Sequence, residues 1–403
     1  MATLILKVTE QCDSNCVYCD VVRKADNGRT MTLDTLSVLF ARVNEFLSVR
    51  PEEVIEILWH GGEPLLVGPE YYYQAFGLLD RHCRDTRDRI SHSIQTNLLC
   101  LTEDFFPVFD VLGITAVGTS YDPEPHIRGP GADIRSDIYN TRFFSSLGLL
   151  EQHGIGWGMI YVVTQRSLQD PRAVFFHLTN MLLSGGINFN PVLIYDPERK
   201  HIAISPEEFA RFLGAIFPVW WEHRSRYPDV EPFRSFVRNI IDGHTSLACV
   251  DAGSCTYQHI NVAPDGDTSQ CGRSGDWGLL RYGNIHDRSL EQILAHPERD
   301  QLDRRITYLQ GNDCAGCRFW KLCHGGCPLD AWSQHGEFMH RSEWCDVKRI
   351  FLEEYFEPVT GVRVPPPVPS DSVPIRSLTV ETCLLYTSPS PRDRTRSRMP
   401  SSA

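Results

Sequence analysis

Apolar positions in the first half of the chain switch repeatedly between two periods. Residues 4–8 (LILKV) read as a short strand that runs straight toward a cysteine at position 12. Over 33–48, Leu36, Leu39, Phe40, Val43, Phe46 and Leu47 recur at the spacing of one helix face. VIEILW at 54–59 is then a compact apolar run of the kind a buried parallel strand shows. The two signals go on alternating, with helices over 70–83, 103–111, 140–153 and 171–184 and strands over 91–95, 114–121, 157–164 and 187–194. Six strands separated by helices predict an α/β architecture of right-handed βαβ units, either an open doubly wound sheet or a partial barrel. In both, chemistry gathers at the C-terminal ends of the strands.

The alternation ends near residue 204. Ser205-Pro206-Glu207-Glu208 is a capping box with proline at the first helical position, opening a helix to about 222, and 205–248 reads as a helical linker. From 249 to 350 cysteines, glycines and short turns predominate, with a hairpin expected around Asp265-Gly266, so a second, smaller domain is expected there. After about 358 the chain is rich in Pro, Ser and Arg without apolar period, and 351–403 is expected to be an unpacked tail. Its last stretch, 384–403, looks unrelated to the rest and resembles read-through into adapter DNA.

Composition narrows the function classes. Hydrophobic residues at 42% and charged residues at 22% are ordinary for a globular protein, and a net charge of −12 argues against nucleic acid as partner. The N-terminus turns polar too soon for a signal peptide, and no apolar run approaches the ~20 residues of a membrane span. A cytoplasmic protein without a membrane partner is expected. Fourteen cysteines are the anomaly. Reducing cytosol does not sustain a disulfide framework, so metal or cluster ligation is the better account. Three cysteines crowd the N-terminus and eight crowd 249–345, which separates two sites.

Cys12-x3-Cys16-x2-Cys19 follows the first strand with three thiolates where a cubane cluster normally takes four. One iron is then left open, as in a catalytic metal site; a structural zinc site borrowing a fourth ligand is the alternative. Tyr18 sets an aromatic wall beside the third cysteine. His60-Gly61-Gly62-Glu63-Pro64 follows the second strand, Ser93-Ile94-Gln95-Thr96-Asn97 the third and Gly118-Thr119-Ser120-Tyr121-Asp122 the fourth. His126 and Arg128 come next, and Arg128 can pair a carboxylate bidentately. Asn188 and Asn190 on the sixth strand are further candidates for ligand contact. In the second half, Cys314-x2-Cys317-x5-Cys323-x3-Cys327 is preceded by Cys249, Cys255 and Cys271 and followed by Cys345. These exceed one zinc, although two zincs could take them.

The triad, the Gly-Gly-Glu-Pro turn and the strand-end motifs resemble the radical S-adenosylmethionine (SAM) superfamily. The later cysteines resemble its SPASM extension, with the eighth, Cys249, as in anaerobic sulfatase maturases. The resemblance spans about residues 1–350. It implies a partial (β/α)6 TIM-barrel core over 1–204 that binds SAM on the open iron of a 4Fe–4S cluster. Gly61 and Gly62 would let the backbone approach the SAM amino group, Glu63 would accept its hydrogens, and Gln95, Asn97, Ser120, Asp122 and Arg128 would contact SAM or substrate. Two auxiliary 4Fe–4S clusters would take Cys249, Cys255, Cys271 and Cys327, and Cys314, Cys317, Cys323 and Cys345. The implied activity is SAM cleavage to a 5′-deoxyadenosyl radical, hydrogen abstraction from a ribosomally made peptide or protein, and an oxidative thioether, carbon–carbon or carbonyl product. A flavodoxin- or ferredoxin-type reductant is the implied partner. A dehydrogenase or epimerase acting on a small molecule is the alternative, and a non-catalytic iron–sulfur or zinc protein a third reading.

Two departures matter. Sulfatase maturases carry an Asp directly after the cysteine matching Cys271, whereas Gly272-Arg273 stands here; Asp276 is the substitute candidate base. The chain also begins almost at the triad, so leader recognition would need a separate protein or another surface, for which the helix around Trp220-Trp221-Glu222 is a candidate. Cys83 and Cys100 are expected to be buried hydrophobes, and Cys383 falls in the tail.

Overall fold

A computed structural model describes residues 2–19, 28–181, 184–194, 197–244, 246–252, 255, 259–365 and 379–381. Strands β1 (Ala2–Thr9), β2 (Ile55–Gly61), β3 (Ile90–Ile94), β4 (Ala116–Ser120), β5 (Gly156–Val163) and β6 (Ile187–Pro191) are separated by helices, as the periodicity predicts. The helices are α1 (Leu33–Ser48), α2 (Pro69–His82), α3 (Phe106–Leu112), α4 (Ser136–Gln152) and α5 (Pro171–Thr179). Strands β1, β2 and β3 pair parallel, as do β4, β5 and β6. The two groups meet at a single bridge between Gln95 and Gly118, where the Thr96 amide donates to the Gly118 carbonyl at 2.9 Å. One curved parallel wall results, a partial barrel.

Burial explains the arrangement. Every residue of β1 is buried, as a strand covered on both faces must be. The α1 residues picked out by their spacing, from Leu36 to Leu47, are all buried against the sheet. Helix α5 stops at Thr179 rather than 184, because the Ser184 hydroxyl accepts the Trp157 amide at 2.7 Å and draws the chain back onto β5.

The region expected to be a linker contributes to the wall. Helix α6 (Pro206–His223) carries the capping box, with the Ser205 hydroxyl accepting from the Glu208 amide and the Glu208 carboxylate from the Ser205 amide. Beyond it β7 (Val230–Glu231) pairs parallel with β6 as a further strand. Trp220 is not part of a peptide groove: it is buried among Phe217 and Phe233, at ring distances of 6.0 and 5.3 Å. Trp221 packs partly buried beside it, under Arg224.

The cysteine-rich region docks on the opposite edge. After β8 (Ser246–Ala248), β9 (His259–Val262) pairs parallel with β1, and β10 (Asp267–Ser269) and β11 (Arg281–Asn284) extend the same sheet antiparallel. The expected hairpin thus joins β9 to β10, turning at Gly266 with φ +86°. The chain stays helical from Cys345 to Thr360, past the boundary at 351 where an unpacked tail was expected, and β12 (Thr379–Glu381) pairs with β8. Cys383 and the remainder of the tail lie outside the described residues. No helix among the described residues is long and apolar enough to cross a membrane.

Two histidines on the wall make stability pH-dependent. His60 and His92 are each pushed down to about 4, mainly by burial, with Lys7 adding to the effect at His60 and Arg87 at His92. Unfolded histidine titrates near 6.5, so between pH 6.5 and 4 the unfolded chain binds more protons and stability falls as pH falls, by up to about 1.4 kcal/mol per pH unit for each ring. Between pH 7 and 5 the midpoint of urea unfolding is expected to drop further in the parent protein than in H92F, whose ring keeps the stack on Trp59. Equal drops in the two proteins would contradict the assignment.

Candidate functional site

The loops at the C-terminal strand ends are tied to one another through backbone and side chains. The cysteine loop leaves β1 at Thr9. Its Asn15 and Val17 amides donate to the carbonyls of Gly129 and Ile127, at 2.7 and 3.0 Å. Cys16 is buried, and Cys12 and Cys19 are half-buried. Burial pushes the Cys12 and Cys16 thiols up. Thiols gathered on one short loop suit a ligand that takes their protons on binding.

The Gly-Gly-Glu-Pro turn lies directly against that loop. The Gly62 amide donates to the Thr9 carbonyl and the Glu63 amide to the Gln11 carbonyl, each at 2.8 Å. A Cβ on Gly61 would sit 2.2 Å from the Thr9 carbonyl oxygen, and one on Gly62 2.1 Å from that of Gln11. These glycines therefore admit the backbone of the cysteine loop. The Glu63 carboxylate is fully buried, accepting from Thr96 Oγ1 at 2.7 Å, the Asn97 amide at 2.7 Å and the Leu65 amide at 2.9 Å. Burial lifts its pKa to about 7 against the lowering by these donors. Glu63 thus staples two strand-end loops together, a different role from direct acceptance of ligand hydrogens.

The five other expected contacts, Gln95, Asn97, Ser120, Asp122 and Arg128, are engaged within the protein. Asn97 Nδ2 donates to Asp13 Oδ1 at 2.7 Å and lies 3.8 Å from Cys12 Sγ. Asp122 Oδ2 accepts from Arg128 Nε at 2.8 Å and from the Tyr18 hydroxyl at 2.5 Å, while Arg128 Nη2 also donates to that hydroxyl. The carboxylate expected for Arg128 is the chain's own Asp122. Gln95 Nε2 reaches Ser120 Oγ at 3.4 Å, leaving the Gln95 Oε1 buried without a hydrogen-bond partner among the described residues. Of the two cysteines expected to be buried hydrophobes, Cys83 is buried, whereas Cys100 is half-buried and donates to Asp13 Oδ2 at 3.1 Å, beside the triad.

A cavity of about 530 Å³ opens between the barrel wall and the cysteine-rich region. Tyr18, Asn188 and Asn190 line its barrel side, and Cys249, Cys255, Cys271 and Cys327 its far side. Phe189, Phe209, Phe236 and Trp344 make much of the wall apolar. Asp276 does not reach it. Its carboxylate is paired with Lys7 Nζ at 2.6 Å and borders a separate small cleft with Glu10 and Arg29, so the candidate base is misplaced. The carboxylates that do line the cavity are Glu231, Asp251 and Asp330.

The later cysteines fall into two neighbourhoods. A hydrogen bond between Cys255 and Cys327 holds the first thiol up and brings the second down to about 7, with Cys271 close enough to raise Cys255 further. Cys323 and Cys345 lie 3.7 Å apart, Cys314 is pushed up to about 12 by burial and the charges of Cys323 and Cys317, and Cys314 in turn raises Cys345. Among the described residues no three His, Cys, Asp or Glu side chains converge as one metal ion requires.

Arg305 escaped the sequence reading. It is fully buried and donates to four carbonyls, those of Gly325, Gly326, Phe338 and His340, at 2.6–3.0 Å, pinning the loop between Cys323 and Cys327. An arginine within an amphipathic helix carries no signal of that role.

Residues 249–318 match the model of the SPASM iron–sulfur cluster-binding domain. The Cysteine-type anaerobic sulfatase-maturating enzyme of Clostridium perfringens is 22% identical over 375 residues, 90% of this chain and 98% of that relative. The Serine-type enzyme of Bacteroides thetaiotaomicron is 23% identical over 354 residues, 82% and 83% of the two chains. Among solved structures, native anSMEcpe with bound AdoMet has a TM-score of 0.75 at 20% identity, covering 89% of this chain and 98% of its own. Streptococcus suis SuiB bound to S-adenosylmethionine has a TM-score of 0.57 at 13% identity, over 85% and 76%.

Proposed function

We propose that this chain, a radical SAM enzyme with a SPASM domain and similar to the anaerobic sulfatase-maturating enzymes, oxidatively modifies a residue of a peptide or protein. One observation carries the reading. A single cavity is lined on one side by Tyr18, next to Cys19 in the chain, and on the other by Cys249, Cys255, Cys271 and Cys327. A substrate held there lies between the place where a radical is made and the place where an electron is taken up.

Cys12, Cys16 and Cys19 would hold a 4Fe–4S cluster whose fourth iron binds SAM, and that site supplies the electron for homolytic cleavage. The chain's own residues keep this geometry fixed. Glu63 and Asn97 brace the cysteine loop from two strand ends, and the Asp122–Arg128–Tyr18 network orients the ring that lines the cavity. The apolar wall excludes water from a reactive intermediate. Cys249, Cys255, Cys271 and Cys327 would hold one auxiliary cluster and Cys314, Cys317, Cys323 and Cys345 another, both fully ligated and suited to electron transfer. The substrate's proton goes to a carboxylate of the cavity lining, not to Asp276.

The peptide reading is supported by relatives of this fold seen with peptides: anSMEcpe with the Kp18Cys peptide and SuiB with the precursor peptide SuiA. A small-molecule dehydrogenase or epimerase is the second reading, favoured by a volume of about 530 Å³, which falls within the usual range of small-ligand pockets.

Anaerobic reconstitution with iron and sulfide is expected to load about twelve irons per chain, three cubane clusters. Reduction with SAM should then release 5′-deoxyadenosine. Co-expression with a short peptide encoded by a neighbouring reading frame should give a peptide lighter by two hydrogens. An unchanged peptide mass, with 5′-deoxyadenosine still formed, would move the assignment to the small-molecule reading. Bound zinc and no 5′-deoxyadenosine would sink both.

A further inference from the structure

We propose that Arg273 sets the reduction potential of the auxiliary site formed by Cys249, Cys255, Cys271 and Cys327, by donating to the Cys327 sulfur while Asp330 holds its guanidinium in place. The inference rests on the reading above that these cysteines hold an iron–sulfur cluster.

Two short helices create the contact. Cys271 caps the helix Gly272–Asp276, its sulfur accepting the Ser274 amide at 3.5 Å and its own amide donating to the Ser274 hydroxyl at 2.9 Å. Cys327 stands at the N-cap of the helix Pro328–His335. Arg273 lies in the first turn of one helix and Asp330 in the first turn of the other. They join through Arg273 Nη1 and Asp330 Oδ1 at 2.8 Å, and Arg273 Nη2 reaches Cys327 Sγ at 2.9 Å. One planar fork therefore spans a carboxylate and a ligand sulfur, which a lysine cannot reproduce. Trp277 backs the fork, its ring centre 5.5 Å from the guanidinium carbon. Asp330 is 7% exposed and Arg273 23%, so the charge acts in a largely water-excluded setting.

The consequence is electrostatic. Reducing a thiolate-bound cluster adds one negative charge, and a hydrogen bond donated to a ligand sulfur stabilises the more negative state. A cation fixed at that sulfur stabilises it further and raises the potential. Asp330 tempers the gain by its own charge, while keeping Arg273 from swinging into the cavity that both residues line.

The test uses the full chain with Cys12, Cys16 and Cys19 replaced by alanine, so that only the auxiliary sites load, reconstituted anaerobically and titrated by electron paramagnetic resonance. In R273M one of the two midpoints should fall by at least a tenfold change in the one-electron equilibrium, about 59 mV, while the other stays. R273K should shift the same midpoint by less. Unmoved midpoints in an R273M protein carrying both clusters would overturn the proposal. Loss of auxiliary iron from R273M and R273K alike would also overturn it, making the residue structural. If the parent protein itself takes up no auxiliary iron, the failure belongs to the cluster reading instead.

Discussion

Replacing any one of Cys12, Cys16 or Cys19 with alanine is expected to abolish reductive cleavage of SAM while leaving the auxiliary iron in place. On the proposed reading each would supply one of three thiolates, and a two-thiolate remnant cannot retain the cluster. The loss should exceed the ~10–100-fold that removal of an outer-shell partner costs. Iron should fall by about four per chain. The fold should survive, because the loop is held from outside by the Gly129 and Ile127 carbonyls and by Glu63 through the Gln11 contact. Iron content and 5′-deoxyadenosine yield are the two readouts. Cleavage persisting in all three variants would refute the ligand assignment.

The substitution R128M is expected to cost about 3–5 kcal/mol, because it strands a buried carboxylate. The Asp122 side chain is 0% exposed and that of Arg128 8%. With Arg128 gone, Asp122 keeps the Tyr18 hydroxyl and a longer contact from the Val162 amide at 3.3 Å, but loses the cation it is paired with. The Tyr18 hydroxyl also loses one of its two partners, the Arg128 guanidinium, so SAM cleavage should fall alongside stability. The double variant D122L/R128M should recover much of the unfolding midpoint, since an apolar pair leaves no charge behind. Anaerobic urea unfolding of the four proteins completes the cycle. Additive losses would show that the two residues act independently.

Most of the barrel is legible in the sequence because it is local. The alternation of 3.6- and 2-residue periods depends on which face of each element meets the core, and Leu36 to Leu47 or the run at 54–59 display that without knowing their neighbours. The cysteines are legible for a related reason: spacing along one loop is spacing in space. What escapes is pairing at long range. Lys7 and Asp276 are 269 positions apart, and nothing near Asp276 announces that a cation from the first strand will neutralise it. Asp122 and Arg128 can be recognised as charged residues at a strand end, but whether such residues face a ligand or each other is decided by the loop that folds over them. The two-residue strand Val230–Glu231 is too short for any period and exists because β6 offers an unpaired edge. The glycines of the Gly-Gly-Glu-Pro turn signal that something comes close, and the structure adds the backbone of the cysteine loop as one such neighbour.

The parallel pairing of β9 with β1 has one more consequence. A barrel that does not close leaves its first strand with a row of unsatisfied amides and carbonyls, and such a row is a template for pairing with another molecule. Here that row is covered along Thr3 to Leu6 by the hairpin of the cysteine-rich region. The region is thus an edge guard as well as a holder of cysteines. A chain cut after residue 248 would present β1, buried along its whole length, as a naked apolar edge prone to aggregate before any chemistry could be measured.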